Sequence, residues 1–306
     1  MIAQTTLKAP IEFSGVALHS GRHVKLVLRP AAPGSGVVFV RTDLPGAPRI
    51  PAHFQNIVST RLATTLGVDS ATVSTVEHLL AALYGMGVDN LVVEIDGPEV
   101  PIVDGSSEPF CRLIAAVGVQ TQLQARPVLA LRRRVEVKLN EKWAVAEPSA
   151  RLEIQGSVDW DHPAIGYQEF HYVEGRDSFR ELSAARTFGF LKDVEALKRM
   201  GLALGGSLEN AVVLDEANVL NPDGLRYRDE FARHKVLDAL GDFKLAGISL
   251  QAYVRLHRAG HDLHSQLLAE IFRDPDHYEI IDSSVREESA IASLRAALAQ
   301  SFVASV

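Results

Sequence analysis

The 306-residue chain is 47% hydrophobic and 23% charged, a balance that excludes fibrous and disordered classes and suits one large or two medium globular domains. Its net charge of −7 gives no general reason to expect nucleic acid as a partner. One cysteine, Cys111, excludes an internal disulfide framework and any zinc site built from several thiolates, so a transition metal would need ligands from the eleven histidines and the carboxylates.

The opening residues "MIAQTTLKAPIEFSG" lack a basic segment followed by an apolar run, and no stretch nears the apolar length of a membrane span. A cytoplasmic protein with no transmembrane segment is expected. The alternating runs "VKLVLRP" and "GVVFVRT" predict strands, "STVEHLLAALYGMG" a strong helix and "NLVVEI" a buried strand. Residues 117–128, "VGVQTQLQARPV", are polar, end in proline and break both apolar periodicities, which places a domain boundary there: 1–120 before it and 127–306 after it. The second half repeats the pattern. "VLALRRRVEVKL" and "ARLEIQGSVDW" predict strands, "DEFARHKVLDALGDF" a helix, "GISLQAYVRL" a strand, and "HDLHSQLLAEIF" and "REESAIASLRAAL" helices. His78 lies seven residues before Gly85 and His234 seven before Gly241, a matched spacing that suggests a duplicated α+β unit. The basic clusters "LRRRVEVK" and "RLHRAGH" could hold a phosphate, though such clusters are more often solvated surface.

On the helix from Asp229 to Phe243, Val236, Leu240 and Phe243 share one side, while His234, Asp238 and Asp242 line the other. Two readings stand. The stripe is either the wet face of an amphipathic helix or part of a metal site, since residues four apart project in parallel and can reach one cation. If two similar halves pack with their helical layers together, His78 would supply a third ligand and leave a position open for water.

The strings "GVALHSG", "STVEHLLAAL", "DGSSEPF", "ARTFGF", "GGSLENAVVL", "DEFARHKVLDALGD" and "AGHDLHSQLL", in this order and spacing, resemble the UDP-3-O-acyl-N-acetylglucosamine deacetylase family. These are zinc amidases of the committed step of lipid A synthesis in Gram-negative bacteria. The resemblance implies an α+β fold of two similar domains, each a sheet with a helical layer, packed helix layer against helix layer. It implies Zn2+ held by His78, His234 and Asp238, with Fe2+ acceptable to the same donors. Glu77 then matches the general base, although "STVE" also reads as a Ser-x-x-Glu capping box. His261 matches a protonated catalytic histidine, Asp242 the acid that orients it, and Thr187 a hydroxyl of the oxyanion site; without the family Thr187 reads as a β-branched strand residue. His257, His261 and His264 form a rival cluster, which is set aside because the three do not share one helical face.

For the substrate, an acylated UDP-sugar, the resemblance assigns Lys235, Lys142 and Arg258 to the sugar and diphosphate and Phe188 to an aromatic platform. Arg258 stands where lysine is common in the family. The segment around 190–213 corresponds to an acyl passage, with Val194, Ala203, Ala211 and Val213 as lining; each could equally be core of a small βαβ unit. Ala63 replaces a cysteine frequent in the family. A zinc amidase acting on another acylated sugar, and a catalytically silent sugar-nucleotide binding protein, are the alternatives. A monomer is expected.

Overall fold

Residues 11–95 build a mixed five-stranded sheet whose order is Ile11–Val16, His23–Pro30, Leu91–Ile95, Val37–Arg41 and Arg49–Pro51. This is seen in a computed structural model that describes residues 2–281; the amphipathic pattern of residues 286–298 lies outside them. The apolar alternation drives the pairing: Leu91, Val93 and Ile95 turn inward along one strand, and Val24, Leu26 and Leu28 along its antiparallel neighbour. Against this sheet lie helices α1 (Glu77–Gly85) and α2 (Glu108–Val117), the latter through Phe110 on Phe13.

The second sheet has seven strands, with Ser249–His257 at its centre. Lys142–Pro148 and Val128–Leu131 flank that strand on one side, Glu153–Trp160 on the other; Val135–Leu139, Gly166–Val173 and Tyr278–Ile281 extend the sheet outward. Four further helices follow: α3 (Phe179–Ser183), α4 (Leu191–Arg199), α5 (Glu230–Lys244) and α6 (His261–Arg273). Helix α4 joins the parallel strands Phe188–Phe190 and Val212–Leu214 into a small βαβ unit. The protein is thus α+β, and among the described residues no helix is long and apolar enough to cross a membrane.

The two helical layers meet where α1 crosses α5. Leu79, Leu80 and Leu83 of α1 and Val236, Leu237, Leu240 and Phe243 of α5 belong to one buried cluster that also takes in residues of both sheets. Two glycines permit this closeness. A Cβ on Gly241 would sit 2.0 Å from the Glu77 carbonyl oxygen, and one on Gly85 would fall 2.0 Å from the Phe179 ring. The glycines matched by sequence spacing are therefore both contact points of the helical layer.

Residues 117–128 are not merely a polar break in the apolar pattern. Val119–Ala125 is a strand that pairs antiparallel with Ala3–Leu7. Its alternation is invisible in the sequence because, of its own residues, only Ala125 is buried and Leu123 is fully exposed. Polar side chains anchor it, with the Asn90 amide donating to both Gln4 and Gln122 at 2.9 and 2.7 Å. "VLALRRRVEVKL" is likewise two strands, interrupted at residues 132–134.

Gly241→Ala is expected to destabilise the fold by about 1–3 kcal/mol, because the added methyl meets a backbone oxygen that cannot rotate away, and this outweighs the better helix propensity of alanine. Urea unfolding measures it. A wild-type midpoint would show that the helices can separate at no cost.

Candidate metal centre and catalytic cluster

Helix α1 begins later than "STVE" suggests. Its N-cap is Val76, with no side-chain cap, and the Ser74 hydroxyl is paired with that of Thr65, so the capping-box reading of Glu77 is not realised. Before it, Thr75 is held at a φ of +55° with its hydroxyl on Glu99, a buried carboxylate that also accepts the backbone N–H groups of His19 and Ser20. This corner starts the helix abruptly, with Glu77 and His78 in its first turn. The Ser107 hydroxyl of "DGSSEPF" donates to the His78 carbonyl and braces that turn.

On α5 the polar stripe is not wet: His234, Asp238 and Asp242 are each 2% exposed. They line the α1 side, while Val236 packs against Gly156 of the sheet. Nε2 of His78 and of His234 lie 3.4 and 3.2 Å from the same oxygen, Asp238 Oδ1. His234 donates from Nδ1 to the Ala185 carbonyl, which leaves its Nε2 free as a lone-pair donor. Lys235 donates to Asp238 Oδ2 at 2.9 Å, whereas Oδ1 is buried with no hydrogen-bond donor among the described residues. Two imidazole nitrogens facing a bare buried carboxylate oxygen are a donor set that fits a divalent cation. The electrostatics agree. Burial pushes the His234 pKa down to about 3, keeping the imidazole neutral as a ligand must be; burial works against ionising Asp238, but the Lys235 ammonium beside it favours the charged carboxylate.

One turn further, Asp242 makes a different site. Its Oδ2 lies 2.7 Å from His261 Nδ1 and 2.8 Å from His264 Nδ1, while Oδ1 accepts the Thr64 hydroxyl at 2.6 Å. This trio could also be taken for metal ligands. The carboxylate is, however, already saturated by donors, as that of Asp238 is not. Burial opposes charge on His261, yet Asp242 and Glu77 outweigh it and raise its pKa to about 9. Asp242 is held down to about 2 against its own burial by the two histidines. Glu77 shifts upward because burial dominates, partly offset by His261 and His78; its Oε1 is 3.9 Å from His261 Nε2 and its Oε2 accepts the Thr64 N–H.

Of the other expected residues, Thr187 and Phe188 belong to the segment whose Ala185 carbonyl meets His234. A buried ion pair fixes that segment: Glu230 accepts from the backbone N–H and guanidinium of Arg186. Phe188 packs edge-on to Phe231 and near the His234 ring, with the Lys235 ammonium 5.6 Å from its centroid. Thr187 precedes the strand rather than lying in it. Lys142 and Arg258 are exposed at one end of the second sheet, flanking the stacked pair Trp143 and His257. Val194, Ala203, Ala211 and Val213 are half-buried, and the core of the βαβ unit is made by Val212 and Leu214 instead. Ala63 is buried beside Thr64. Sequence reasoning missed Thr64, Arg186, Glu230 and His264. It rightly separated His257, which bonds Ser157, but His261 and His264 are three apart on α6 and do converge.

The LpxC family model, described as UDP-3-O-acyl N-acetylglycosamine deacetylase, matches residues 4–273. The chain belongs to this family. Proteins named UDP-3-O-acyl-N-acetylglucosamine deacetylase from Myxococcus xanthus (strain DK1622) and Geobacter sp. (strain M21) are 52% and 49% identical over 285 and 283 residues. They cover 93% and 92% of this chain, which spans 91% and 93% of theirs. A protein of the same name from Haemophilus influenzae (strain 86-028NP) is 43% identical over 292 residues, 94% of this chain and 96% of its own. In this member of the deacetylase family, every motif that carried the resemblance falls within the described residues.

His78→Ala, His234→Ala and Asp238→Ala should each lower the bound metal measured by elemental analysis after zinc loading and desalting, since each removes one of three protein donors. Asp242→Asn should retain it. Equal metal loss in Asp242→Asn would place the cation in the wrong cluster.

Proposed function

We propose that this protein is a zinc-dependent hydrolase that removes the 2-acetamido acetyl group of UDP-3-O-(3-hydroxyacyl)-N-acetylglucosamine, the committed step of lipid A biosynthesis. The observation that carries the reading is the pairing, within one helix crossing, of an unsaturated His78, His234, Asp238 donor set with a buried base, Glu77, and a charged acid, His261. The cation, zinc or iron(II) by its donors, would supply Lewis-acid polarisation of the amide carbonyl and acidify water. Glu77, its pKa raised by burial toward the working range of a base, takes the proton of the attacking water. His261, kept protonated by Asp242, donates a hydrogen bond to the developing oxyanion together with the Thr187 hydroxyl, then gives its proton to the leaving amine. Water and amide thus become acetate and free amine. Lys235, Lys142, Arg258 and Phe188 engage the sugar and its diphosphate, and Lys235 also steadies Asp238.

The insert supports an acylated substrate. Helix α4 buries no residue, and Leu191, Met200 and Leu204 are about half exposed, so apolar surface here is left for a chain to cover. Val194, Ala203, Ala211 and Val213 line the same segment.

Glu77→Ala is expected to keep its metal and lose about 100-fold or more in kcat in a deacetylation assay; near wild-type turnover would remove its role as base. kcat/KM should follow a bell, its falling limb above the pH at which an isolated histidine deprotonates, because Asp242 and Glu77 raise His261. Asp242→Asn should move that limb to lower pH, and a limb unchanged in His261→Ala would assign it to another group. Ala211→Trp should penalise long acyl chains more than short ones, with about 0.8 kcal/mol at stake per buried methylene; equal losses at every length would make the insert a scaffold only.

A further inference from the structure

We propose that His264 is a positioning residue for the reaction, acting by sharing the carboxylate of Asp242 with His261. The inference rests on the deacetylase reading above. His264 is fully buried on α6, one turn after His261, and its Nδ1 lies 2.8 Å from the same Oδ2 that His261 Nδ1 meets at 2.7 Å. Its Nε2 is buried without a partner among the described residues, so the proton of the ring belongs on Nδ1 and is given to Asp242. The ring is packed in place, tilted on Phe243 and edge-on to His261.

Asp242 is thereby fixed at three points, by Thr64 on Oδ1 and by two imidazoles on Oδ2. A carboxylate on one helix can rotate about its terminal bond. With His264 in place it cannot do so without leaving a buried N–H unpaired, which holds Oδ2 in line with His261 Nδ1 and Nε2 toward the Glu77 side. The second donor also draws charge from the oxygen that His261 depends on. Against its burial, His261 is held charged by Asp242 and, one turn earlier, Asp238 on α5 and by Glu77 on α1, while the His264 ring faces it from its own helix. Because His264 donates to the carboxylate, it tempers the hold of Asp242 on the His261 proton and keeps that proton transferable.

The test compares His264→Leu, which removes the donor, with His264→Asn, whose amide can occupy the Nδ1 position. Metal content and kcat and KM across pH are measured on the zinc-loaded enzyme with the acylated UDP-sugar. His264→Leu should lose roughly tenfold in kcat, the effect of one hydrogen bond to a charged group, with KM and metal content near wild type and the falling limb moved to higher pH. His264→Asn should recover most of the rate and the position of the limb. In an Asp242→Asn background His264→Leu should cost little further, since its effect passes through that carboxylate. If His264→Leu does not fold, His264→Met carries the same test. Wild-type kcat with an unmoved limb, an asparagine variant as impaired as the leucine one, or a full additive loss in the Asp242→Asn background would overturn the proposal. Absence of deacetylation by the wild-type enzyme would instead overturn the activity on which it rests.

Discussion

The crossing of α1 over α5 at Gly241 is the constraint on which the site depends. Backbone meets backbone there, with no room for a side chain at Gly241 between the two helices. His78 can then approach Asp238 without a bulky residue between them, and the first turn of α1 delivers Glu77 to the same gap. The same close approach buries the ionisable side chains of the layer between the sheets. Charges act strongly there, so burial sets the direction of the shifts at Glu77 and His234, while at His261 the carboxylates of Asp242 and Glu77 outweigh it.

Two aspartates one turn apart on α5 have opposite fates. Among the described residues, Asp238 keeps one oxygen without a donor, while Asp242 has both oxygens engaged. Unsatisfied valence beside imidazole lone pairs favours a cation; a saturated carboxylate beside imidazole N–H groups favours a proton held on nitrogen. Helical repeat thus sorts identical side chains into a candidate metal ligand and an electrostatic anchor. The sorting is done by what the rest of the chain presents: Ala185 and Lys235 at one level, Thr64 and α6 at the other.

Much of this was legible in the sequence. The periodicity of "NLVVEI" and the stripe on α5 show directly in residue spacing, and the family motifs implied a set, His78, His234 and Asp238, that the fold brings together. What was not legible depends on partners distant in the chain. Thr64 sits in a short turn with no motif of its own, yet it bonds both Glu77 and Asp242. Glu230 reads as a first-turn acid of α5, a common helix signal, and only the fold shows Arg186 in its grasp. Val119–Ala125 escaped because an exposed ribbon need not alternate apolar and polar residues. His264 was passed over because it was weighed as one of three histidines, when two of them suffice on a helix face.

The shared core has a kinetic meaning as well. His78 and His234 lie far apart in the sequence, so bringing them together closes a long loop, a contact expected to be slow to form. Neither half by itself holds the complete donor set. A cation that recognises all three ligands therefore recognises only the finished molecule, and by mass action its binding draws the docking step to completion. Assembly of the chain and assembly of its chemistry would then be one event, with metal occupancy as the record that it has happened.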